Sequence, residues 1–261
     1  MEPENIKGWK PPYTWEERLK YALVPASLYI RYRVAKERRR GEREIQLLPY
    51  LADPARVSVD VGAHKGVYAW ALRKHSRRVH AFEPNPKIFP ILNRIAGGNI
   101  EASPIALSNE TGTATFRVPR HRRGGFSNQG GSLSAVKVSG EHVGVEVETR
   151  RLDDLGLRDI GFIKIDVEGF EQEVLAGAAE CIARDRPTLL VEMEEAHTSI
   201  PIEDALDAVL RLGYRGLFLR RGVLWPLDAF DGSRFHRNAE RREDYVFNFI
   251  FLPTGSPTIR G

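Results

Sequence analysis

Short apolar runs and amphipathic stretches alternate along most of this chain. "RVSVDVG" (56 to 62) predicts a buried strand and "VYAWALRKH" (67 to 75) a helix. "RVHAFEP" (78 to 84) predicts a second strand. The helix "KIFPILNRIAG" and the short strand "IEASPIALS" (100 to 108) follow. Residues 109 to 150 break the rhythm, with "TGTATFRVP" and "HVGVEVETRRL" as paired strands around a Gly/Ser/Arg-rich loop. The alternation resumes with strand "GFIKIDVEG", helix "EQEVLAGAAECIARD" (171 to 185), strand "TLLVEME" and helix "IEDALDAVLRLG". "YRGLFLRRGVLWPL" and "DYVFNFIFLP" close the chain as a terminal antiparallel pair. This pattern predicts an α/β fold with a mostly parallel sheet and helices on both faces.

Ahead of the first strand, residues 1 to 14 read as a Pro- and Lys-rich arm. Trp15 to about Leu51 reads as helical, interrupted near Pro25 and apolar at Leu23, Leu28, Ile30 and Tyr32. The expected organisation is an N-terminal arm and helical extension over 1–52 and one main domain over 53–261. At 261 residues the chain suits a single α/β domain with extensions.

Composition narrows the classes. No stretch approaches the roughly 18 consecutive apolar residues of a membrane span, and the first residues lack a basic-then-apolar export signal. The single cysteine, Cys181, excludes an intramolecular disulfide and suits a reducing, cytoplasmic setting. The net charge of +4 is concentrated in "RYRVAKERRRGER" and "RVPRHRRGG". Neither run carries the interleaved aromatics of a single-strand nucleic-acid platform, so no nucleic-acid partner is expected. The first run reads as a solvated helix face or a peripheral membrane contact, and an apolar extension could form a homodimer interface.

In parallel sheets, ligands bind beyond the carboxyl ends of the strands, where strand order reverses. The polar residues at those ends are Asp60, Glu83, Ser108, Asp166 and Glu192. The first loop, "DVGAHKG", has an acid before the turn and His64 where a pyrophosphate-binding loop would carry glycine. That favours a phosphate-free, cationic ligand such as S-adenosyl-L-methionine over NAD. Glu83, about twenty residues on, is placed to accept hydrogen bonds from ribose hydroxyls. In "FIKIDVEGFE", Lys164, Asp166 and Glu168 alternate, and charge in a central strand must be paired or used. Asp166 would face the cofactor, and Lys164, further in, could pair with a carboxylate.

"VDVGAHKGVYAWAL", "AFEPNPKIFPIL", "IALSNETGTATF", "IGFIKIDVEGFEQEVLAGA" and "RPTLLVEMEE" occur in an order and spacing that resembles the FkbM family of S-adenosylmethionine-dependent methyltransferases. The resemblance spans roughly residues 55 to 196. It implies a class I methyltransferase fold with a seven-stranded sheet, and methyl transfer, usually to a hydroxyl of a sugar, polyketide or other natural product. Carried over by position, it implies Asp60, Gly62 and Gly66 at the methionine end, Glu83 at the ribose, Ala106 to Asn109 at the adenine and Asp166 beside the methyl donor. The family often has Asn where this chain has His64; both tolerate positive φ.

A hydroxyl acceptor needs a base within hydrogen-bond reach. The candidates are Asp166, Glu168, Glu192, Glu194 and His197, with His197 and Glu192 foremost. Asp166 with Glu192 could instead hold a divalent cation, although no spacing here is diagnostic of a metal. The Arg/Gly-rich segment 117–131 is a candidate lid whose Arg120, His121, Arg122 and Arg123 would meet an anionic acceptor. The expected activity is O-methylation of a saccharide or glycoconjugate. Alternatives are a lipid, polyketide, peptide or small-molecule nitrogen acceptor, an NAD-type oxidoreductase, and a non-catalytic cofactor-binding scaffold.

Overall fold

A computed structural model of the chain describes residues 12–120, 126–127, 130–138 and 141–255. The chain opens with helices α1 (Trp15–Leu23) and α2 (Ala26–Arg40), separated at Pro25, then a 3-10 turn and the short helix α3 (Leu48–Leu51). Thr14 and Glu17 form a reciprocal capping box at the start of α1. The alternating part runs β1 (Val57–Val61), α4 (Val67–Leu72), β2 (Arg78–Phe82), α5 (Phe89–Asn93) and β3 (Ile100–Ser103). An insertion follows, holding β4 (Ala106–Leu107), β5 (Gly112–Pro119) and β6 (His142–Arg150). Then come β7 (Ile160–Ile165), α6 (Glu171–Ala176), α7 (Ala179–Asp185), β8 (Thr188–Glu192), α8 (Ile202–Leu210), β9 (Tyr214–Arg220), β10 (Val223–Pro226) and β11 (Asn248–Pro253).

The main sheet has the order β10-β9-β11-β8-β7-β1-β2-β3, and β4-β6-β5 form a second, smaller sheet. β3, β2, β1, β7 and β8 pair in parallel, while β11 lies antiparallel between β8 and β9. The seven expected strands are therefore present, and β10 adds an eighth at the edge. Strand order reverses between β1 and β7, which puts the ligand crevice at their carboxyl ends.

Three details differ from the sequence pattern. "IEASPIALS" is not one strand, because Pro104 cannot donate to the ladder and the chain leaves β3 for the second sheet at β4. "YRGLFLRRGVLWPL" is itself a hairpin. Its two central residues, Arg221 and Gly222, sit at φ 51° and 80°, as a two-residue primed turn requires. The expected helix over 171–185 is broken at Gly177, where a Cβ would lie 1.9 Å from the Ser108 carbonyl oxygen of the insertion.

Strand parity divides the core in two. Val57, Val59, Val61, Ile163, Ile165, Leu189 and Val191 pack with α6, α7 and α8 on one face. Phe162, Leu190, Ile250 and Leu252 point to the other, where Ile30, Val34, Ile45, Leu48 and Leu51 of the extension join α4 and α5. The extension is thus part of the layer covering this second face. Its opposite side leaves Trp15, Leu23, Leu28 and Tyr32 exposed, while Ile30 is fully buried. Among the described residues, no helix is long and apolar enough to cross a membrane.

Candidate active site

Parity also decides which polar groups meet. Asp60 and Lys164 are register partners on β1 and β7. With Asp166 and Glu192 they share the even-numbered positions that face the extension. Beyond the strand ends lies a cavity of about 520 Å³. Asp60, Gly62, His64, Glu83, Asp166, Glu168, Glu192 and Glu194 all line it.

Gly62 opens the loop after β1 at φ 75°, and a Cβ there would sit 1.8 Å from the Asp166 carbonyl oxygen. The β1 and β7 loops therefore touch backbone to backbone, which only glycine allows. His64 takes φ 48°. Its N–H donates to Glu83 Oε2 at 2.8 Å, and the Asn85 N–H donates to Glu83 Oε1 at 2.8 Å. Glu83 thereby ties the first loop to the second while keeping further lone pairs toward the cavity. Burial pushes its carboxyl up to about 7 even though both N–H groups pull the other way.

Lys164, 2% exposed, donates to Asp166 Oδ2 at 2.7 Å and lies 4.6 Å from the centroid of the Tyr68 ring. Burial alone would lower its pKa. The carboxylates of Asp166, Glu42, Asp60 and Glu192 override this and hold it protonated. The acids around it are left short of positive charge. Burial raises Asp60 to about 6 and lifts Glu192 well above the usual carboxylate range, in the latter case aided by the Asp166 charge. Both carboxylate oxygens of Asp60 are buried without a hydrogen-bond partner. An orphaned buried carboxylate costs on the order of several kcal/mol unless a ligand compensates it.

The sequence did not single out Glu42. It follows α2, accepts a hydrogen bond from the Tyr68 hydroxyl at 2.7 Å, and lines the cavity with Arg33 and Glu37. The sequence signal was an acid pair, Glu42 and Glu44, between a basic run and an apolar one. Lys65 also lines the cavity. It is 8% exposed, and burial, with Arg33 and Lys20 near, brings its pKa down to about 8.

Other sequence candidates lie elsewhere. Gly66 caps α4 with its α-carbon toward Ile95 and Leu92. Ser108 is buried behind the wall that Ala106 and Leu107 supply, and Asn109 is exposed. His197 is not part of the cavity lining. It is enclosed by Lys137, to which it is hydrogen-bonded, Glu168 at 3.4 Å and Glu194 at 3.8 Å, and burial lowers its pKa. Glu168 itself sits past the end of β7 at φ 58° and pairs with Lys137 at 2.7 Å. Of the candidate lid, Gly130 and Gly131 line the cavity. Arg120 is exposed, its guanidinium 5.5 Å from the Phe126 ring centroid. His121, Arg122 and Arg123 lie outside the described residues.

A doubly covered sheet with this strand order, opening at the β1/β7 switch point, has the class I methyltransferase fold. The family model for the methyltransferase FkbM domain matches residues 60–215, and the chain belongs to that family. It is 30% identical over 223 residues to 31-O-demethyl-FK506 methyltransferase FkbM of Streptomyces tacrolimicus, covering 72% of this chain and 82% of that one. It is 26% identical over 188 residues to 2-O-methyltransferase NoeI of Sinorhizobium fredii (strain NBRC 101917 / NGR234), covering 62% and 74%. Among solved structures it resembles methyltransferase FkbM from Methylobacillus flagellatus KT, with 18% identity and a TM-score of 0.49. That likeness covers 90% of this chain and 57% of the other.

Proposed function

We propose that the chain transfers a methyl group from S-adenosylmethionine to a hydroxyl of a saccharide or glycoconjugate. The observation that carries the donor assignment is Asp60: a fully buried carboxylate, unpartnered and lining the cavity, fits a cationic amino group and does not fit pyrophosphate. Asp60 and the Gly62–His64 backbone would hold the methionine end, Glu83 the ribose, and Ala106 with Leu107 the adenine side. When bound, the donor supplies an electrophilic methyl group already activated by its sulfonium.

The chain's own residues must then orient a hydroxyl and take its proton. Glu192 supports that reading best. It ends β8, lines the cavity, and is held by burial at an acidity that favours taking up a proton. Lys164 fixes Asp166 beside it. Glu168 lines the cavity and holds Lys137 and His197 behind it, which supports a positioning role for His197. The similarity to 31-O-demethyl-FK506 methyltransferase and to a 2-O-methyltransferase supports oxygen as the acceptor atom. An anionic acceptor would meet Arg33, Lys65 and Arg242, the cations that line the cavity besides Lys164.

A second acceptor reading has its own observation. A smaller cavity of about 250 Å³ adjoins the first through Leu133, Phe170 and Glu194. Its walls include Ala135, Val136, Met193, Ile200 and Ile202. Such a surface suits an acceptor with an apolar body, such as a lipid or polyketide.

Calorimetry tests the donor. S-adenosylhomocysteine should bind one per chain, and NAD should show no binding. Tight NAD binding without S-adenosylhomocysteine binding would overturn the assignment. A screen of glycans, glycolipids and polyketides with labelled donor then separates the two acceptor readings.

A further inference from the structure

Glu42, Asp166 and Glu192 each offer one carboxylate oxygen, and the three lie within 4.8 Å of one another. They come from three separate parts of the chain: the turn after α2, the end of β7 and the end of β8. Each has an oxygen to spare. Tyr68 donates to Oε2 of Glu42 and Lys164 to Oδ2 of Asp166, which leaves the second oxygen of each. Among the described residues Glu192 accepts no side-chain hydrogen bond.

An acidic cluster alone proves nothing, because acids gather at many surfaces. Here a fourth carboxylate stands beside it. Asp60 is 1% exposed, lines the same cavity, and has no hydrogen-bond partner on either oxygen. Lys164 is the buried cation of this group, and it pairs with Asp166.

We propose that Glu42, Asp166 and Glu192 ligate a hard divalent cation, of the Mg2+, Mn2+ or Ca2+ class, at the acceptor side of the cavity. The donor set is all oxygen, which selects those ions over zinc or copper. Oxygens within 4.8 Å of one another can share one such ion, whose metal–oxygen distances run from about 2.0–2.1 Å for Mg2+ to about 2.3–2.6 Å for Ca2+. The cation would polarise an acceptor hydroxyl docked beside it and lower the cost of removing its proton. The inference rests on the methyltransferase reading only for that last role. The novel element is Glu42, which lies outside the span matched by the family model.

The experiment is calorimetry of the chelator-treated full chain with MnCl2, run in parallel with S-adenosylhomocysteine. The expected result is one Mn2+ per chain. E42Q and E192Q should each weaken it at least tenfold, while the exposed-site control E180Q should not. E42Q should still bind S-adenosylhomocysteine within about threefold of the parent, which shows that the fold and donor site survive. Absence of Mn2+ binding in a chain that binds S-adenosylhomocysteine overturns the proposal. So does Mn2+ binding that E42Q leaves unchanged, since that locates the ion on surface acids. Mn2+ binding lost in E42Q, in a chain that fails to bind S-adenosylhomocysteine, keeps the cation site and removes the methyltransferase chemistry instead.

Discussion

Replacing Glu83 by alanine is expected to weaken S-adenosylhomocysteine binding by roughly a hundredfold. Two hydroxyl hydrogen bonds to an ionised acceptor contribute together about 3 kcal/mol. The carboxylate also receives the His64 and Asn85 N–H groups, each at 2.8 Å, so its loss loosens the loop that meets the methionine end. A pH dependence accompanies the effect, and its sign is fixed. Burial raises Glu83 to about 7, so the free protein holds a proton there below neutrality. Ribose binding needs the ionised acceptor, and affinity should therefore rise as pH increases from 6 to 8. Below the midpoint the slope approaches about tenfold per pH unit. Asp60, raised to about 6 by burial, adds a second and lower step. Glu83→Gln should abolish the upper step and keep the lower one. Titration calorimetry at four pH values reads both. An affinity within threefold of the parent for Glu83→Ala would remove Glu83 from the donor site. The folded-state carboxyl obeys the opposite sign for stability. Because its pKa is raised above the unfolded value, its contribution is present at low pH and fades as pH rises through about 7.

The second large effect concerns folding. Gly62→Ala should lower the melting temperature by roughly 10 °C, corresponding to about 4 kcal/mol for a chain of this size. Part of that cost comes from forcing an L-residue to φ 75°, worth about 1–2 kcal/mol. The remainder comes from the Asp166 carbonyl oxygen 1.8 Å from the new methyl group, a backbone atom that cannot rotate away. Gly98→Ala is the fitting control. It also has positive φ, 61°, but nothing lies within 4 Å of the added carbon. It should cost only the conformational share. Equal melting temperatures for the two variants would show that the β1 and β7 loops are not in contact.

The candidate donor loop could be read from the sequence and the proposed cation site could not, because the interactions involved differ in range. Asp60, Gly62, His64 and Glu83 lie within one βαβ unit, and their geometry is set by a local turn and a neighbouring parallel strand. Period-two alternation also announced that Lys164 and Asp166 share a face, and they pair at 2.7 Å. Glu42 reaches Asp166 across 124 positions of sequence, through a helix whose docking no local pattern encodes. The same parity held a usable clue: charged positions on a buried strand face require a covering element, and only the extension was unassigned. Ser108 and Asn109 were assigned to the adenine side by the family resemblance; the Ser108 carbonyl packs at Gly177, and the adjoining Ala106 and Leu107 line the cavity. The arginine-rich loop gave a composition, and composition does not specify where a guanidinium ends up.

The matched family span begins at Asp60, inside β1, and stops at residue 215, before β10 and β11. Yet Ile30, Ile45 and Leu48 share a core with Phe162 and Leu190, and β11 separates β8 from β9. The span by which the family is matched is thus smaller than the span that shares this core and sheet. Divergence of the extension is constrained accordingly. Arg33 and Glu42 line the cavity, while Ile30 and Val34 of the same extension are buried in the core. A lineage that exchanges this helix to reach a new acceptor must inherit its packing face along with it, so chimeras between relatives should trade the extension and the sheet as one piece.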